Sequence, residues 1–118
     1  MKTNIQKNPE GQLSVDVFQG KDEIAVVAPV AGVKPEDVSI TVTDNVLTIK
    51  GERSNGTTLN KEDCFIQECF WGMFSRSIVL PEDVDTTKVD AEFKNNILVI
   101  KIPRVERIKT RIVKIKKS

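Results

Sequence analysis

The chain has 118 residues, of which 30% are charged, with a formal net charge of +1 and no histidine. This length accommodates one domain with a substantial core but not two domains. The balanced charge argues against a nucleic-acid binder or an acidic-tail protein as a whole. No apolar run approaches the length of a transmembrane helix, and residues 1–11 lack the apolar core of a signal peptide, so we expect a cytoplasmic protein.

Cysteine and histidine usage bears on catalysis and metal binding. The spacing of Cys64 and Cys69 is neither that of a metal clip nor that of a CxxC pair, so we expect reduced, partly buried thiols, with a redox role as the alternative. Without histidine, a serine or cysteine nucleophile lacks its commonest base. Residues 51–58 only partly resemble a phosphate-binding loop, because they lack the lysine that would reach the phosphates. We therefore expect no enzyme, no cofactor and no metal site.

In chain order, residues 1–12 show no periodicity and are predicted to form a short flexible N-terminal arm. Alternating apolar residues then predict strands at residues 13–18 and 23–28. Two prolines and a glycine mark residues 29–38 as a loop, with at most one short helical turn after Pro35, since proline fits the first position of a helix. Strands at residues 38–43 and 46–50 follow, joined by a turn.

The second half of the chain continues the β pattern. Residues 54–63 are polar and predict a long loop, which in a small domain is usually functional or disordered. Residues 64–81 are rich in aromatic side chains, and two short strands joined near Gly72 fit them best. After alternating residues 89–93, Asn95 and Asn96 predict a tight turn, because asparagine tolerates positive φ. The strand that follows is apolar on both faces, which is typical of a strand inside a sheet.

Residues 91–103, with the sequence AEFKNNILVIKIP, resemble the A-x-x-x-n-G-v-L signature of the small heat-shock proteins, with Asn96 where that family usually has glycine. Residues 29–38 resemble the family's PGVKKEDI connector, with Ala31 in place of a proline. The resemblance implies an all-β fold: an immunoglobulin-like β-sandwich of about seven to eight strands, called the α-crystallin domain, over residues 13–103.

The resemblance also implies a dimer interface. Residues 68–76 are similar to the family pattern E-R-x-x-G-x-F-x-R, which lies on a loop strand that crosses to the partner subunit and pairs with its sandwich edge. Arg76 matches the family's interface arginine, and Glu68 is its expected partner across the dimer. The alternative is an exposed ion pair within one chain. The residues expected at this interface are Glu68, Phe70, Gly72, Phe74 and Arg76.

Residues 104–118 are predicted to form a basic C-terminal extension, with seven basic residues and one acidic residue. Within it, Val113-Lys114-Ile115 resembles the family's I/V-x-I/V tail motif, which docks into a groove of a neighbouring subunit. The spacing places both apolar side chains on one side of an extended segment. Acidic residues at 82, 83, 85 and 90 would suit the positive tail. The expected groove lies between two strands and contains Val38, Ile40, Val42, Val89 and Ala91.

For function, the resemblance implies an ATP-independent chaperone, a holdase that binds partly unfolded client proteins and prevents their aggregation. Its dimer would be the building block of oligomers, and because only twelve residues precede Leu13 we expect dimers or small oligomers. One alternative is a co-chaperone binding module of the p23/CS type. Another is a binder of anionic surfaces through the basic tail. That tail has no aromatic platform, so we expect neither nucleic acid nor membrane as a partner.

Overall fold

The structure, a computed structural model, describes residues 11–105 and 112–118. These residues form an immunoglobulin-like β-sandwich of two four-stranded sheets, as predicted. One sheet has the strand order β1-β6-β5-β4 and the other the order β2-β3-β8-β7. The strands are β1 (Gly11–Gln12), β2 (Asp16–Gln19), β3 (Glu23–Pro29), β4 (Val38–Thr43), β5 (Val46–Arg53), β6 (Gly72–Val79), β7 (Asp90–Lys94) and β8 (Ile97–Pro103).

Two tight hairpins join neighbouring strands at the predicted positions. Asp44 and Asn45 connect β4 to β5 with φ angles of 47° and 65°, and Asn95 and Asn96 connect β7 to β8 with φ angles of 54° and 64°. Positive φ at both central residues is the geometry of a type I′ turn, whose twist matches that of the flanking strands. The turns therefore fix the register of both hairpins.

The core lies between the sheets and is built by period-two alternation along the inner strands. Along β3, every second residue is fully buried, while the residues between them are half-buried. Strand β8 lies between β3 and β7, inside its sheet as predicted. Burying a large aliphatic side chain contributes about 1.5–3 kcal/mol. The fully buried side chains are Ile24, Val26, Ala28, Val30, Leu47, Ile49, Ile100 and Ile102.

The start of the domain differs from the prediction. Gly11 and Gln12, predicted to belong to the arm, form β1 and pair in parallel with Phe74 and Ser75 of β6. Residues 13–15 form no strand, because Leu13 is buried in the core where the chain passes from one sheet to the other. The rest of the predicted arm, residues 1–10, lies outside the described residues, as do residues 106–111 of the extension.

The prediction of a strand before Gly72 is also wrong for this chain. Residues 64–71 bend at Phe65 and Cys69 and pair with no strand of the described residues. A strand needs a neighbour for its backbone N–H and C=O groups, and an apolar composition does not supply one. By contrast, the predicted helical turn is present, as a 3-10 turn at Pro35–Asp37 with proline at its start.

Candidate functional site

The two free edges of the sandwich on one side define the first candidate surface. Strand β4 pairs only with β5, and β7 only with β8, among the described strands. The other two end strands, β1 and β2, are joined by residues 13–15 and therefore lie together on the opposite side. The edges of β4 and β7 consequently border the same side of the core, and each leaves backbone N–H and C=O groups unpaired.

The inner face of β4 is apolar and only half covered. Ile40 pairs with the fully buried Ile49, and Val42 with the fully buried Leu47, so these side chains share the face that looks into the sandwich. Nevertheless Val38, Ile40 and Val42 are only half-buried while packing against the core. The core therefore stays open along this strand.

Strand β7 borders the same open part of the core from the other sheet. Ala91 pairs with Ile100 and Phe93 with Leu98, two core residues, so both face the sandwich interior. Val89 and Phe93 are half-buried against the core, but Ala91 between them is exposed. A methyl group is too small to fill the space that its neighbours line. We call the surface formed by Val38, Ile40, Val42, Val89, Ala91 and Phe93 the edge groove; alternation could have added Phe93 to the predicted set.

The tail motif lies apart from this groove. Val113 is 82% exposed and Ile115 96% exposed. Residues 112–118 form no strand, and all of them are exposed. The structure therefore presents the motif and the edge groove as two open apolar surfaces that do not cover each other within one chain.

Acidic groups flank the groove, although not all are available to a basic tail. Asp90 and Glu92 are exposed and, with Ala91, Val99 and Lys101, line a depression of about 220 Å³. Asp85 caps the 3-10 turn Thr86–Lys88, and hydrogen bonds from the hydroxyl and the backbone N–H of Thr87 hold the pKa of its carboxyl below its usual value. The carboxylate of Asp83 is already paired with Arg104.

Residues 54–71, which we call the excursion loop, carry the second candidate surface. This loop exposes large apolar side chains and encloses a depression of about 690 Å³ between residues 55 and 71. Phe65 is 93% exposed. Such a concentration of exposed apolar groups on a monomer usually marks an interaction surface. The exposed apolar side chains of the loop are Leu59, Phe65, Ile66, Phe70 and Trp71.

The cysteines also lie on the excursion loop, and the prediction that they are partly buried is wrong. Cys64 and Cys69 are both exposed and free. They line the depression of the loop together, and the Cys64 thiol donates a hydrogen bond to the carbonyl of Ile66 at 3.1 Å. All of residues 61–70 are exposed and none of them belongs to a strand, so no core residue covers the two thiols.

The structure separates the residues expected at the dimer interface. Glu68 is exposed on the excursion loop, whereas Arg76 lies on β6 and its Nη1 donates to the backbone carbonyl of Leu13 at 3.1 Å. Within the described residues Glu68 and Arg76 form no ion pair. Gly72 begins β6 with a φ of 122°, a value that favours glycine. Phe70, by contrast, remains exposed.

Phe74, which is also expected at the dimer interface, has its ring in the core of this chain and not on its surface. It is 3% exposed, pairs with Gly51 across the β5–β6 ladder and packs in the core. The Arg53 guanidinium lies 5.7 Å from the centre of the ring. Every second residue of a strand faces inward, and at this position of β6 the inward residue is Phe74. Its side chain is therefore unavailable to a partner in this conformation.

Strand β2 exposes apolar residues that the sequence did not single out. All four residues of β2 are exposed, and the strand ends its sheet. Val17 and Phe18 point to opposite faces, and both are large apolar residues open to solvent. Their alternation predicted a strand, but nothing in the sequence indicated that the strand lies at an edge.

Two further classes of site are absent from the described residues. No helix among them is long and apolar enough to cross a membrane. Across the same ranges, no group of three or more His, Cys, Asp or Glu side chains could hold a metal ion.

Comparison with known proteins points to one family. The family model described as Hsp20/alpha crystallin family matches residues 16–116. Heat shock protein 16 of Schizosaccharomyces pombe is 36% identical over 93% of this chain and 78% of its own length. Small heat shock protein C4 of Rickettsia felis is 35% identical over 85% of this chain, and the match spans 61% of that relative's length.

Solved structures give the same result. Heat shock protein 16.0 from Schizosaccharomyces pombe superposes with a TM-score of 0.73 and 34% identity, covering 92% of this chain and 100% of that one. A small heat-shock protein from Xylella fastidiosa, described as having a distinct high order structure, gives a TM-score of 0.74 at 25% identity, covering 89% and 96%. Because the family match extends from β2 through β8, the chain belongs to the Hsp20/alpha crystallin family, that of the small heat shock proteins.

Proposed function

We propose that this protein is an ATP-independent holdase whose edge groove binds extended apolar segments. The observation that carries the proposal is the open core between β4 and β7, where half-buried aliphatic side chains lie beside unpaired strand edges. Unfolding proteins expose apolar, extended segments, which can add to a free edge while alternate side chains enter the groove. A segment held in this way is no longer free to pair with another unfolded chain.

A second occupant of the same groove is the tail of a neighbouring subunit. Val113 and Ile115 are exposed and separated by one residue, so both can enter the groove from an added strand. Ala91 leaves room for one of these side chains. Lys114 and Lys116 would then face away from the groove, and Asp90 and Glu92 provide nearby negative charge.

The energetics of this docking make it reversible. Burying Val113 and Ile115 yields at most about 3–6 kcal/mol. Ordering the residues between the domain and the motif costs about 1–2 kcal/mol each. One tail therefore binds weakly, and an assembly depends on several tails acting together through their effective concentration. Reversible docking would let tails and clients exchange in the groove.

The dimer is the proposed building block of such an assembly. The excursion loop offers apolar residues and has no strand partner among residues 11–105 and 112–118, while β2 is an exposed edge with Val17 and Phe18 open to solvent. Pairing the loop of one subunit with β2 of another would cover both surfaces. In that arrangement Glu68 could reach Arg76 across the dimer, provided that Arg76 exchanges its contact with Leu13.

The test compares the native chain with Val113→Ala/Ile115→Ala, using light-scattering mass and the turbidity of a heat-aggregating client. We expect the native chain to exceed a dimer and to suppress turbidity, and the double variant to fall to a dimer. Ile112→Ala is the matched control, because Ile112 is equally exposed but points to the other side of an extended tail.

The same experiment addresses the alternative functions. If the native chain and the double variant have equal mass and the client still aggregates, the tail is not an assembly arm. A co-chaperone module of the p23/CS type, or a binder of anionic surfaces, would then be favoured. Steep loss of polyanion binding with salt would identify the latter. The cytoplasmic location remains a prediction.

A further inference from the structure

Cys64 and Cys69 form a thiol pair whose positions depend on the conformation of the excursion loop. In this structure the chain bends at Phe65 and again at Cys69, and both thiols are exposed and line one depression. The hydrogen bond from the Cys64 thiol to the Ile66 carbonyl lies within the first of these bends. Both sulfur atoms are therefore open to a small oxidant and belong to the same surface of a curled loop.

The two cysteines would be far apart in an extended loop. A strand rises about 3.3 Å per residue, so residues 64 and 69 of a strand have Cα atoms about 16 Å apart. An odd separation also sends their side chains to opposite faces. A disulfide requires Cα atoms about 4.4–6.8 Å apart. The disulfide and the strand are thus mutually exclusive conformations of the same six residues.

We propose that oxidation of Cys64 and Cys69 to an intramolecular disulfide holds the excursion loop curled and prevents it from pairing with a partner subunit. This inference rests on the proposed loop-crossing dimer. The loop would act as a redox switch: reduced chains dimerise, and oxidised chains remain monomeric. Because the oxidised loop binds no partner, its formation draws subunits out of the dimer by mass action.

The oxidant is a hydroperoxide, of which hydrogen peroxide is the simplest. One cysteine sulfur takes an oxygen atom from the peroxide, which yields a sulfenic acid and one water molecule. The second thiol then attacks the sulfenic sulfur, forms the S–S bond and releases that oxygen as a second water molecule. The two thiols lose two protons and two electrons in total, and the peroxide is reduced to water. A dithiol reductant reverses the reaction by thiol–disulfide exchange.

The experiment measures the light-scattering mass of the full chain before and after hydrogen peroxide, and again after dithiothreitol. Trypsin cleaves after Lys61 and Arg76, so both cysteines lie in a single peptide. After free thiols are alkylated, an intramolecular disulfide leaves this peptide unalkylated and lighter by two hydrogen atoms. Oxidation of Met73 in the same peptide would add an oxygen atom instead and is distinguished by mass.

We expect peroxide to lower the mass at least twofold, and dithiothreitol to restore it. Cys64→Ser and Cys69→Ser should each keep the mass of the reduced native chain in peroxide. If the native chain forms the intramolecular disulfide but keeps its mass, the redox switch is overturned, while the proposed dimer through the excursion loop still stands. Disulfides between chains on a non-reducing gel, or no disulfide at all, would also overturn it. If the reduced chain is already monomeric, the proposed loop-crossing dimer is refuted instead.

Discussion

Arg104 forms an ion pair with Asp83 at the point where the chain leaves β8, with Nη1 2.6 Å from Oδ2. The same guanidinium donates through Nε to the carbonyl of Gly20 at 3.0 Å, and the backbone N–H of Val105 donates to the carbonyl of Asp83 at 2.7 Å. Three segments far apart in sequence therefore meet at Arg104. These contacts hold residues 104 and 105 against the end of the sandwich.

Replacing Arg104 with alanine should lower the free energy of unfolding by about 1–2 kcal/mol, because two charge-assisted hydrogen bonds are lost from a half-buried site. Arg104→Lys should retain only part of the stability that Arg104→Ala loses, since an ammonium group cannot reproduce the planar guanidinium that contacts both Asp83 and Gly20. Urea unfolding measures the change. Lys101→Ala, an exposed change on the preceding strand β8, should alter stability by less than about 0.5 kcal/mol. Equal losses for Arg104→Ala and Lys101→Ala would contradict the assigned role.

Ala91 provides a direct test of the edge groove. Ala91→Leu should fill the space between Val89 and Phe93 and reduce the assembly to the mass of the Val113→Ala/Ile115→Ala variant. Because Ala91 is exposed, stability should change by less than about 0.5 kcal/mol. Light scattering measures the mass, and urea unfolding the stability.

Lys94→Leu is the control for this change, because Lys94 is also exposed on β7 but points away from the groove. It should leave the mass unchanged. If Ala91→Leu assembles like the native chain, the tail does not use this groove. If both substitutions reduce the mass equally, the effect comes from added apolar surface on β7 and not from the groove.

Gly51 and Phe74 are cross-strand neighbours in which one residue is small because the other is large. A Cβ atom at Gly51 would lie 2.5 Å from Cζ of Phe74 and 3.1 Å from the carbonyl oxygen of Asp37. Gly51→Ala should therefore destabilise the fold by about 1–3 kcal/mol. Phe74→Leu shortens the ring side chain, so the double variant should lose less stability than the sum of the single variants. Additive losses would show that the two residues do not compete for space.

The sequence was sufficient to predict most of the sandwich because its signals are local. Alternation identified the strands that line the core, and the turns at Asn45 and Asn96 follow from the tolerance of asparagine for positive φ. The inward orientation of alternate side chains on β4 and β7 follows for the same reason, whereas the docking of a tail between these strands stays a prediction. The family resemblance then supplied the arrangement of these strands as an immunoglobulin-like sandwich, but not their order in the two sheets.

What the sequence could not supply depends on contacts between distant segments. From the sequence, Arg104 was predicted to be the first residue of a basic tail. Its contacts with residues 20 and 83 could not be predicted, because these partners are distant in the chain. Phe74 matched an interface pattern, but its burial depends on how β6 is oriented against β5. Residues 64–71 have a strand-like composition, yet they form a strand only if an unpaired edge lies beside them.

The turn at Asn95 and Asn96 offers the last test, because this chain has asparagine where the family signature usually has glycine. Asn96 has a φ of 64°, a conformation that costs a residue with a Cβ atom about 1 kcal/mol and costs glycine little. Glycine loses more backbone entropy on folding, which offsets part of the gain. Asn96→Gly should therefore raise the free energy of unfolding modestly, by about 0.5 kcal/mol. Asn96→Val should lower it by about 1–2 kcal/mol, since a β-branched residue is poorly accommodated at positive φ.

Urea unfolding of both variants, with Asn55→Val on the excursion loop as the exposed control, measures these changes. If valine is tolerated as well at position 96 as at position 55, the positive φ of this turn is not a constraint on the fold.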